Sequence, residues 1–242
     1  MSFWEWTDKD YTGSRKFDKK LKELVSKKGL SWYPWVGSKY KKGGVLVIGE
    51  SNYADSNTAS DSKSAVEMVE NDELFTRRVI DVLGLRDGNG TLDRISKILH
   101  HDWTTWDTVE GRGFREKWND LAYVDISQRV VWTGAVYGNE KEPSGIKTKV
   151  LDEDIAAGWP LMLKVCDVLK PSKILVFSSR SFNCFPYRDQ AVESLVGVRC
   201  ARKYQDDDNN RRWYYEPTIG RTTRFILEKS GHASFRLFWI RA

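Results

Sequence analysis

Polar residues that directly follow a buried strand are the first candidates for chemistry in this chain. Residues 45–48 are four aliphatic side chains in a row, and residues 49–53, Gly-Glu-Ser-Asn-Tyr, come next. A carboxylate at the mouth of a sheet, such as Glu50, can position a water molecule or stabilise a cation. Ligands of open α/β sheets bind outside the carboxyl ends of the strands, so residues 50–53 are placed to meet one. Taken alone, the segment leaves open an ordinary exit from a strand into a solvated loop.

Three other segments bring polar side chains to predicted strand ends. Asp125 lies near the end of a second apolar run, and residues 178–181 and 231–236 each follow a further one. Because parallel strands end at the same edge of a sheet, we expect these groups to share that edge with Glu50. Each residue alone has an ordinary alternative: a loop cap, a lysine partner or a surface histidine.

The alternation of helix and strand patterns predicts an α/β fold. Apolar residues at helical spacing indicate helices over residues 14–28, which end at Gly29, and over residues 65–83, 91–100, 114–120 and 159–169. Such alternation is typical of βαβ units. We predict a three-layer α/β/α fold with a central, mostly parallel four-stranded sheet. Its single domain covers residues 1–242, with residues 1–40 as a basic, aromatic N-terminal extension.

The composition favours an anionic partner. Among 242 residues, 39 Lys and Arg stand against 34 Asp and Glu, which gives a formal net charge of +5. The 11 tryptophans are a heavy load for a core of this size, and rings near cations stack well on nucleobases. For most of these rings we expect the alternative, burial in a tryptophan-rich core.

Cysteine and histidine spacing indicates neither a disulfide framework nor a metal site. Cys166, Cys184 and Cys200 form no Cys-x-x-Cys pair, and His100-His101 have no third ligand at recognisable spacing. We expect buried thiols, no metal and no cofactor. The charged N-terminus excludes a signal peptide and no apolar run reaches membrane-spanning length, so a cytoplasmic protein without a membrane partner is predicted.

Two of these strand ends resemble motifs of the uracil-DNA glycosylase superfamily, whose members have an α/β/α fold. Gly49-Glu-Ser-Asn-Tyr53 is similar to the first motif of that family, a Gly and an acidic or amide residue after a strand. Gly231-His-Ala-Ser234 is similar to its last motif, His-Pro-Ser, with Ala233 in place of Pro.

Two further segments add to the resemblance, which covers roughly residues 40 to 240. Tyr123-Val-Asp-Ile126 resembles the strand whose Asn recognises the flipped base, and residues 169–177 resemble the family's central helix, Pro and strand unit. Together with Pro34-Trp-Val-Gly37 and Tyr40, the first motif looks most like an uncharacterised bacterial branch of the superfamily.

The resemblance implies an enzyme that flips a base out of DNA and cleaves its N-glycosidic bond. Three residues would be catalytic. Glu50 would position water or stabilise the sugar cation, Asn52 is the alternative group for the water, and His232 would donate a hydrogen bond to the departing base.

The remaining site residues would hold the substrate. Base binding would involve Ser51, Tyr53, Phe75 and Asp125, with either ring stacking on the base. Phosphate or DNA binding would involve Ser178, Ser181, Ser234 and Arg236. Asp125 stands where uracil-specific enzymes have Asn, and an ionised carboxylate only accepts hydrogen bonds. It therefore favours a base with an exocyclic amino group.

These features predict a metal-independent, monomeric hydrolase that excises a modified or damaged base, for example a hypermodified cytosine of phage DNA. Its partner would be duplex or single-stranded DNA. Two alternatives stay open. One is a nucleic-acid-binding protein that keeps the fold without excision, suggested by Ser51 where the most active members have Asp. The other is an α/β hydrolase acting on free nucleotides.

Overall fold

A five-stranded sheet lies at the centre of the computed structural model, which describes residues 3–27, 29–54, 62–84, 118–133, 148–171, 173–176, 181 and 236–239. The strands of this sheet, in spatial order, are β1 (Trp35–Val36), β4 (Leu121–Asp125), β2 (Val45–Gly49), β6 (Lys173–Val176) and β7 (Arg236–Trp239). The three inner strands are parallel to one another, and β1 and β7 pair antiparallel at the two edges. A separate parallel pair joins β3 (Tyr53–Ala54) to β5 (Val131–Trp132).

The predicted mixed α/β fold around a mostly parallel sheet is confirmed. The three inner strands lie within or begin in the predicted runs at 45–48, 121–126 and 173–177. The expected last strand, over residues 223–228, lies outside the described residues. Arg236 corrects one expectation, because it begins an antiparallel strand instead of closing a loop after a parallel one.

Helical segments pack on both faces of the sheet. On one face, α1 (Asp18–Lys27) and α4 (Asp152–Leu169) share a core cluster with the side chains of Leu46, Ile48 and Val124. The connection that leaves β2 contains α2 (Ser62–Glu70), α3 (Phe75–Arg78) and a π-helical turn, Val79–Gly84. Ile80 and Val82 of that turn pack on the other face, against Val47, Tyr123 and Leu175.

The strand order creates a reversal point at β2. The first parallel strand in the chain, β2, lies between the second, β4, and the third, β6. The connection from β2 to β4 and the connection from β4 to β6 have their described parts on opposite faces of the sheet. Right-handed crossovers do this when they run in opposite directions along a sheet. At such a point the loops after neighbouring strands diverge and leave a crevice for a ligand.

Two helices differ from their predicted bounds for local physical reasons. The helix predicted over residues 65–83 is interrupted after Glu70, and the carboxylate of Asp72 accepts a hydrogen bond from the backbone N–H of Leu74 in the intervening turn. Helix α4 begins at Asp152 because Asp154 accepts the backbone N–H of Leu151 at 2.8 Å, and the helix then continues through Pro160. The helices predicted at 91–100 and 114–120 fall almost entirely outside the described residues.

The N-terminal segment predicted as an extension is packed into the core. The indole N–H groups of Trp6 and Trp35 and the hydroxyl of Thr12 all donate to the carboxylate of Asp81, which is buried in the π-helical turn. Helix α1 ends before Gly29, whose φ of 93° fits the predicted C-cap.

Most tryptophans with described side chains are buried, as expected for a tryptophan-rich core. The buried set is Trp6, Trp32, Trp35, Trp118, Trp132 and Trp159, whereas Trp4 is exposed. Cys166 is a buried free thiol, and burial raises its pKa to about 12. Cys184 and Cys200 lie outside the described residues.

Candidate functional site

Glu50 and Asp125 lie at the carboxyl ends of neighbouring parallel strands. Gly49, the last residue of β2, is in register with Asp125, the last residue of β4. Backbone hydrogen bonds continue beyond the strands, since the N–H of Ser127 donates to the carbonyl of Glu50 at 3.0 Å. The residues that follow β2 and β4 are therefore held side by side, and the charge of Glu50 raises the pKa of Asp125.

Asp125 is a buried carboxyl that accepts a hydroxyl hydrogen bond. Its Oδ1 accepts from the hydroxyl of Tyr123 at 3.0 Å. Burial raises the pKa of Asp125 to about 7, the hydroxyl groups of Tyr123 and Thr76 lower it, and the charge of Glu50 raises it. Near neutral pH this group therefore exists in both the protonated and the ionised form.

Gly49 makes room for the contact between Tyr123 and Asp125. All three residues are on the same face of the sheet, because side chains alternate along a strand and Gly49 pairs with Asp125. A Cβ atom at Gly49 would lie 1.9 Å from the Tyr123 hydroxyl and 2.5 Å from Asp125 Oδ1. The glycine of the first motif is thus required by the packing of this hydroxyl.

Asn52 joins the same buried network through Thr76. Asn52 Nδ2 lies 2.8 Å from Thr76 Oγ1. Thr76 accepts this bond from the amide N–H of Asn52, and the Thr76 hydroxyl also lowers the pKa of Asp125. Both Asn52 and Thr76 are buried. The sequence did not predict Thr76 as a site residue. Its neighbour Phe75 was the one predicted site residue in this helix.

The other predicted base-binding residues take different positions. The Ser51 hydroxyl is 2.8 Å from the carbonyl oxygen of Arg129, so it ties the exit of β2 to the segment after β4. The Phe75 ring is only 4% exposed and packs edge-on against Phe3, with 5.6 Å between the ring centroids. Tyr53, in contrast, is 44% exposed. Of the two rings predicted to stack on a base, Tyr53 is the accessible one.

The predicted phosphate-binding residues are only partly described. Ser181 is fully buried, and its carbonyl accepts the indole N–H of Trp159 at 2.9 Å, so its place is a packing position and not a surface contact. Arg236 pairs with Val176 across β6 and β7, which places its backbone at the same edge of the sheet as Glu50. His232, Ser178 and Ser234 lie outside the described residues.

Comparisons with known proteins add no relative. No family model, no curated protein and no solved structure matches the chain. Within the described ranges, no three His, Cys, Asp or Glu side chains come together as they would to hold a metal ion. None of the helices in that part of the chain combines the length and apolar character that crossing a membrane requires.

Proposed function

We propose that the protein is a DNA glycosylase-like hydrolase that flips out a modified or damaged base and cleaves its N-glycosidic bond. The observation that carries this proposal is the pair of carboxyl groups, Glu50 and Asp125, at adjacent strand ends beside the reversal point of the sheet. Ligands of open α/β sheets bind outside such ends. Two of the four segments that resemble the uracil-DNA glycosylase superfamily, residues 49–53 and 123–126, coincide with these strand ends.

The two carboxyl groups suit different parts of the reaction. As the bond breaks, the sugar becomes cationic and the base departs with negative charge. Glu50 is half-buried, so it can face the sugar and a water molecule. Asp125 is buried and lies one strand away, where it can read the polar edge of the base. Asn52 is buried and donates to Thr76, whereas Glu50 is half-buried, which favours Glu50 over Asn52 as the water-positioning group.

The pKa of Asp125 changes the expected choice of base. An ionised carboxylate only accepts hydrogen bonds, which favours an exocyclic amino group. With a pKa of about 7, Asp125 also carries a proton in much of the population at neutral pH, and the protonated form can donate to a carbonyl oxygen. The site is therefore compatible with amino-bearing and carbonyl-bearing bases, and pH sets the balance between them.

The proposal includes a uracil-DNA glycosylase-like fold, DNA as the partner, a monomeric state and a cytoplasmic location. Its support is the sequence resemblance together with the formal net charge of +5, which suits a polyanion. Phosphate contacts would supply affinity and register, so binding should weaken steeply with salt.

Base release from oligonucleotides tests the function. Substrates carry uracil, hypoxanthine, 5-hydroxymethylcytosine or its glucosylated form, in single and double strands. We expect release from at least one of them, and a loss of about 100-fold or more in Glu50→Gln, because general acid and base groups contribute that much. His232→Ala should lose activity as well. Glu67→Gln, which changes an exposed glutamate on α2, is the matched control and should release base at the wild-type rate.

Three outcomes would overturn or redirect the proposal. Release that is unchanged in both Glu50→Gln and His232→Ala would reject the assigned site. Salt-sensitive binding without release from any substrate would favour a DNA-binding protein that lacks excision. Hydrolysis of free nucleotides but not of DNA would favour a nucleotide hydrolase.

A further inference from the structure

We propose that Tyr123 is a positioning residue of the site, whose hydroxyl holds the Asp125 carboxyl in one orientation and thereby sets the preference for an amino or a carbonyl edge of a base. The choice of base edge, the second half of this inference, rests on the proposed function. The first half, the control of Asp125 by Tyr123, stands on the contacts of the folded protein alone.

The Tyr123 hydroxyl reaches Asp125 along a single strand. The two residues lie two positions apart on β4, so their side chains are on the same face of the sheet. The hydroxyl donates to Oδ1 of Asp125 at 3.0 Å, which requires the ring to lean along the strand toward its carboxyl end. Both side chains are buried. The bond therefore belongs to the packed interior and positions the carboxyl from within the sheet.

Aromatic and aliphatic neighbours hold the Tyr123 ring in place. Tyr123 pairs with Trp35 of β1 on one side and with Val47 of β2 on the other. The ring centroid of Trp118 lies 6.1 Å from that of Tyr123, and Trp35 packs edge-on against Trp118 at 5.8 Å. All four side chains belong to one core cluster. A large ring enclosed in this way cannot turn without displacing its neighbours, so the hydroxyl stays at Asp125.

Gly49 is a glycine for reasons of space and not of backbone conformation. Among the residues that the structure describes, the glycines with a positive φ are Gly29 and Gly43. At Gly49, in contrast, an added Cβ would lie 1.9 Å from the Tyr123 hydroxyl and 2.5 Å from Asp125 Oδ1. Both atoms of the hydrogen bond thus lie against the bare backbone of β2. The glycine of the first motif gives the hydroxyl its path to the carboxyl.

The groups that face Asp125 have opposing effects on its proton. The hydroxyl groups of Tyr123 from β4 and Thr76 from α3 lower its pKa, whereas burial and the charge of Glu50 after β2 raise it. Tyr123 keeps its own proton, because burial and, to a smaller extent, Asp125 and Tyr53 raise its pKa well above the ordinary value. It is therefore a permanent donor. Removing its hydroxyl moves Asp125 toward the neutral form, which can itself donate a hydrogen bond.

A carbon-13 NMR titration of the aspartate carboxyl groups tests the first half without any substrate. Tyr123→Phe removes the hydroxyl and keeps the packed ring. We expect the titration midpoint of Asp125 to rise by about one pH unit, since a hydrogen bond to a charged group is lost. Tyr40→Phe is the matched control, because it removes another buried tyrosine hydroxyl, which lies 3.5 Å from the carbonyl of Leu169. It should leave the midpoint of Asp125 unchanged.

The wild-type protein provides a second measurement that does not depend on the folding of a variant. The carbon-13 signal of the Tyr123 ring carbon Cζ, which carries the hydroxyl, should change with the same midpoint as the Asp125 carboxyl signal. The two groups share one hydrogen bond, so ionisation of the carboxyl alters the environment of both. The corresponding signal of Tyr40 should not change at that midpoint.

Oligonucleotides with cytosine or uracil at the target position test the second half, because the two bases differ in an amino or a carbonyl group at one ring position. At pH 7.5 the ratio of uracil to cytosine binding or release should rise about tenfold in Tyr123→Phe, since one pH unit changes the ratio of neutral to ionised Asp125 by that factor. Tyr40→Phe should keep the wild-type ratio.

The outcomes separate this inference from the proposed function. A midpoint of Asp125 that does not move in Tyr123→Phe, or that moves equally in Tyr40→Phe, overturns the inference whatever the activity. If Tyr123→Phe does not fold, a wild-type Tyr123 signal that does not follow Asp125 overturns it as well. A midpoint that moves while the base ratio stays constant rejects the role in base choice. A midpoint that moves in a protein that neither binds nor cleaves any oligonucleotide supports the positioning role and rejects the glycosylase function.

Discussion

Asp125 is a residue on which opposing contacts nearly balance. Desolvation favours the neutral acid, and the hydroxyl groups of Tyr123 and Thr76 favour the carboxylate. A buried carboxyl in this state can exchange a proton near neutral pH, which an exposed aspartate with its ordinary pKa cannot do. The same balance predicts how the stability of the protein depends on pH.

Asp125→Asn should remove a decrease in stability that the wild-type protein shows between about pH 4 and pH 7. The unfolded chain releases this proton near the ordinary pKa of 3.8, whereas the folded protein holds it up to a pKa of about 7. Between those values the folded state binds one more proton, so the free energy of unfolding falls as pH rises. The total change is at most about 4 kcal/mol. Urea unfolding of both proteins at pH 4.5, 6 and 8 measures it.

The variant is also expected to be more stable than the wild type at pH 8, because a neutral amide replaces a buried charge. Its carbonyl oxygen can still accept from Tyr123. Parallel pH profiles of the two proteins would contradict a pKa of about 7 for this residue.

At the residue scale, the sequence predicted where Glu50 and Asp125 lie in the fold, but not which side chains contact them. Glu50 and Asp125 were predicted at strand ends on one edge of the sheet, because an apolar run followed by polar residues is a local pattern. The structure adds that the two strands are neighbours. The bond from Asn52 to Thr76 depends on how helix α3 packs beside the end of β2, and no local pattern contains that information. For the same reason, the burial of Phe75 and Ser181 was missed.

Among the helices, α4 lies in close contact with the backbone just after the strand that carries Asp125. Gly158 of α4 packs on Ile126, so that an added Cβ would lie 2.0 Å from the Ile126 carbonyl oxygen. That carbonyl belongs to rigid backbone directly after β4 and cannot give way like the end of a flexible side chain. Because Gly158 has no side chain, α4 can lie this close to the end of β4.

Gly158→Ala should destabilise the protein even though alanine is the better helix former. Helix propensity alone predicts a gain of about 1 kcal/mol. The clash with the Ile126 carbonyl should outweigh this gain and give a net loss of about 2 kcal/mol, typical of overpacking. Ala157→Gly, at the exposed neighbouring position, measures the propensity effect separately. Chemical denaturation of the two variants and the wild type decides the sign, and a stabilised Gly158→Ala would show that α4 can move away freely.

Element bounds were predictable where a single residue ends the helix. Gly29 ended α1 as expected, because only glycine adopts a φ of 93° without strain. The predicted start of α4 at residue 159 is too late. Pro160 is typical of a first helical turn, whereas the helix begins at Asp152 with three acidic residues in its first turn. A capping bond such as that from Leu151 to Asp154 is only weakly visible in sequence.

At the scale of the whole molecule, an ion pair between the buried Arg77 and the partly buried Asp18 connects helices from the two faces of the sheet. Asp18 is the first residue of α1, and Arg77 belongs to α3. The Arg77 guanidinium is buried, lies 4.3 Å and 4.7 Å from the ring centroids of Tyr11 and Tyr33, and binds both carboxylate oxygens of Asp18. Charge alone would have suggested a solvated arginine, and only the packing of both layers shows why this one is enclosed.

Asp18→Asn should therefore cost far more than a comparable change on the surface. It leaves the buried Arg77 charge without its partner, which typically costs about 3 kcal/mol or more. Asp8→Asn is the matched control, because Asp8 pairs with Arg15 at 3.0 Å with both side chains about half exposed, and such pairs contribute less than about 1 kcal/mol. Urea denaturation at pH 7 gives the two values. Equal losses of stability in the two variants would mean that the two layers are joined by apolar packing alone.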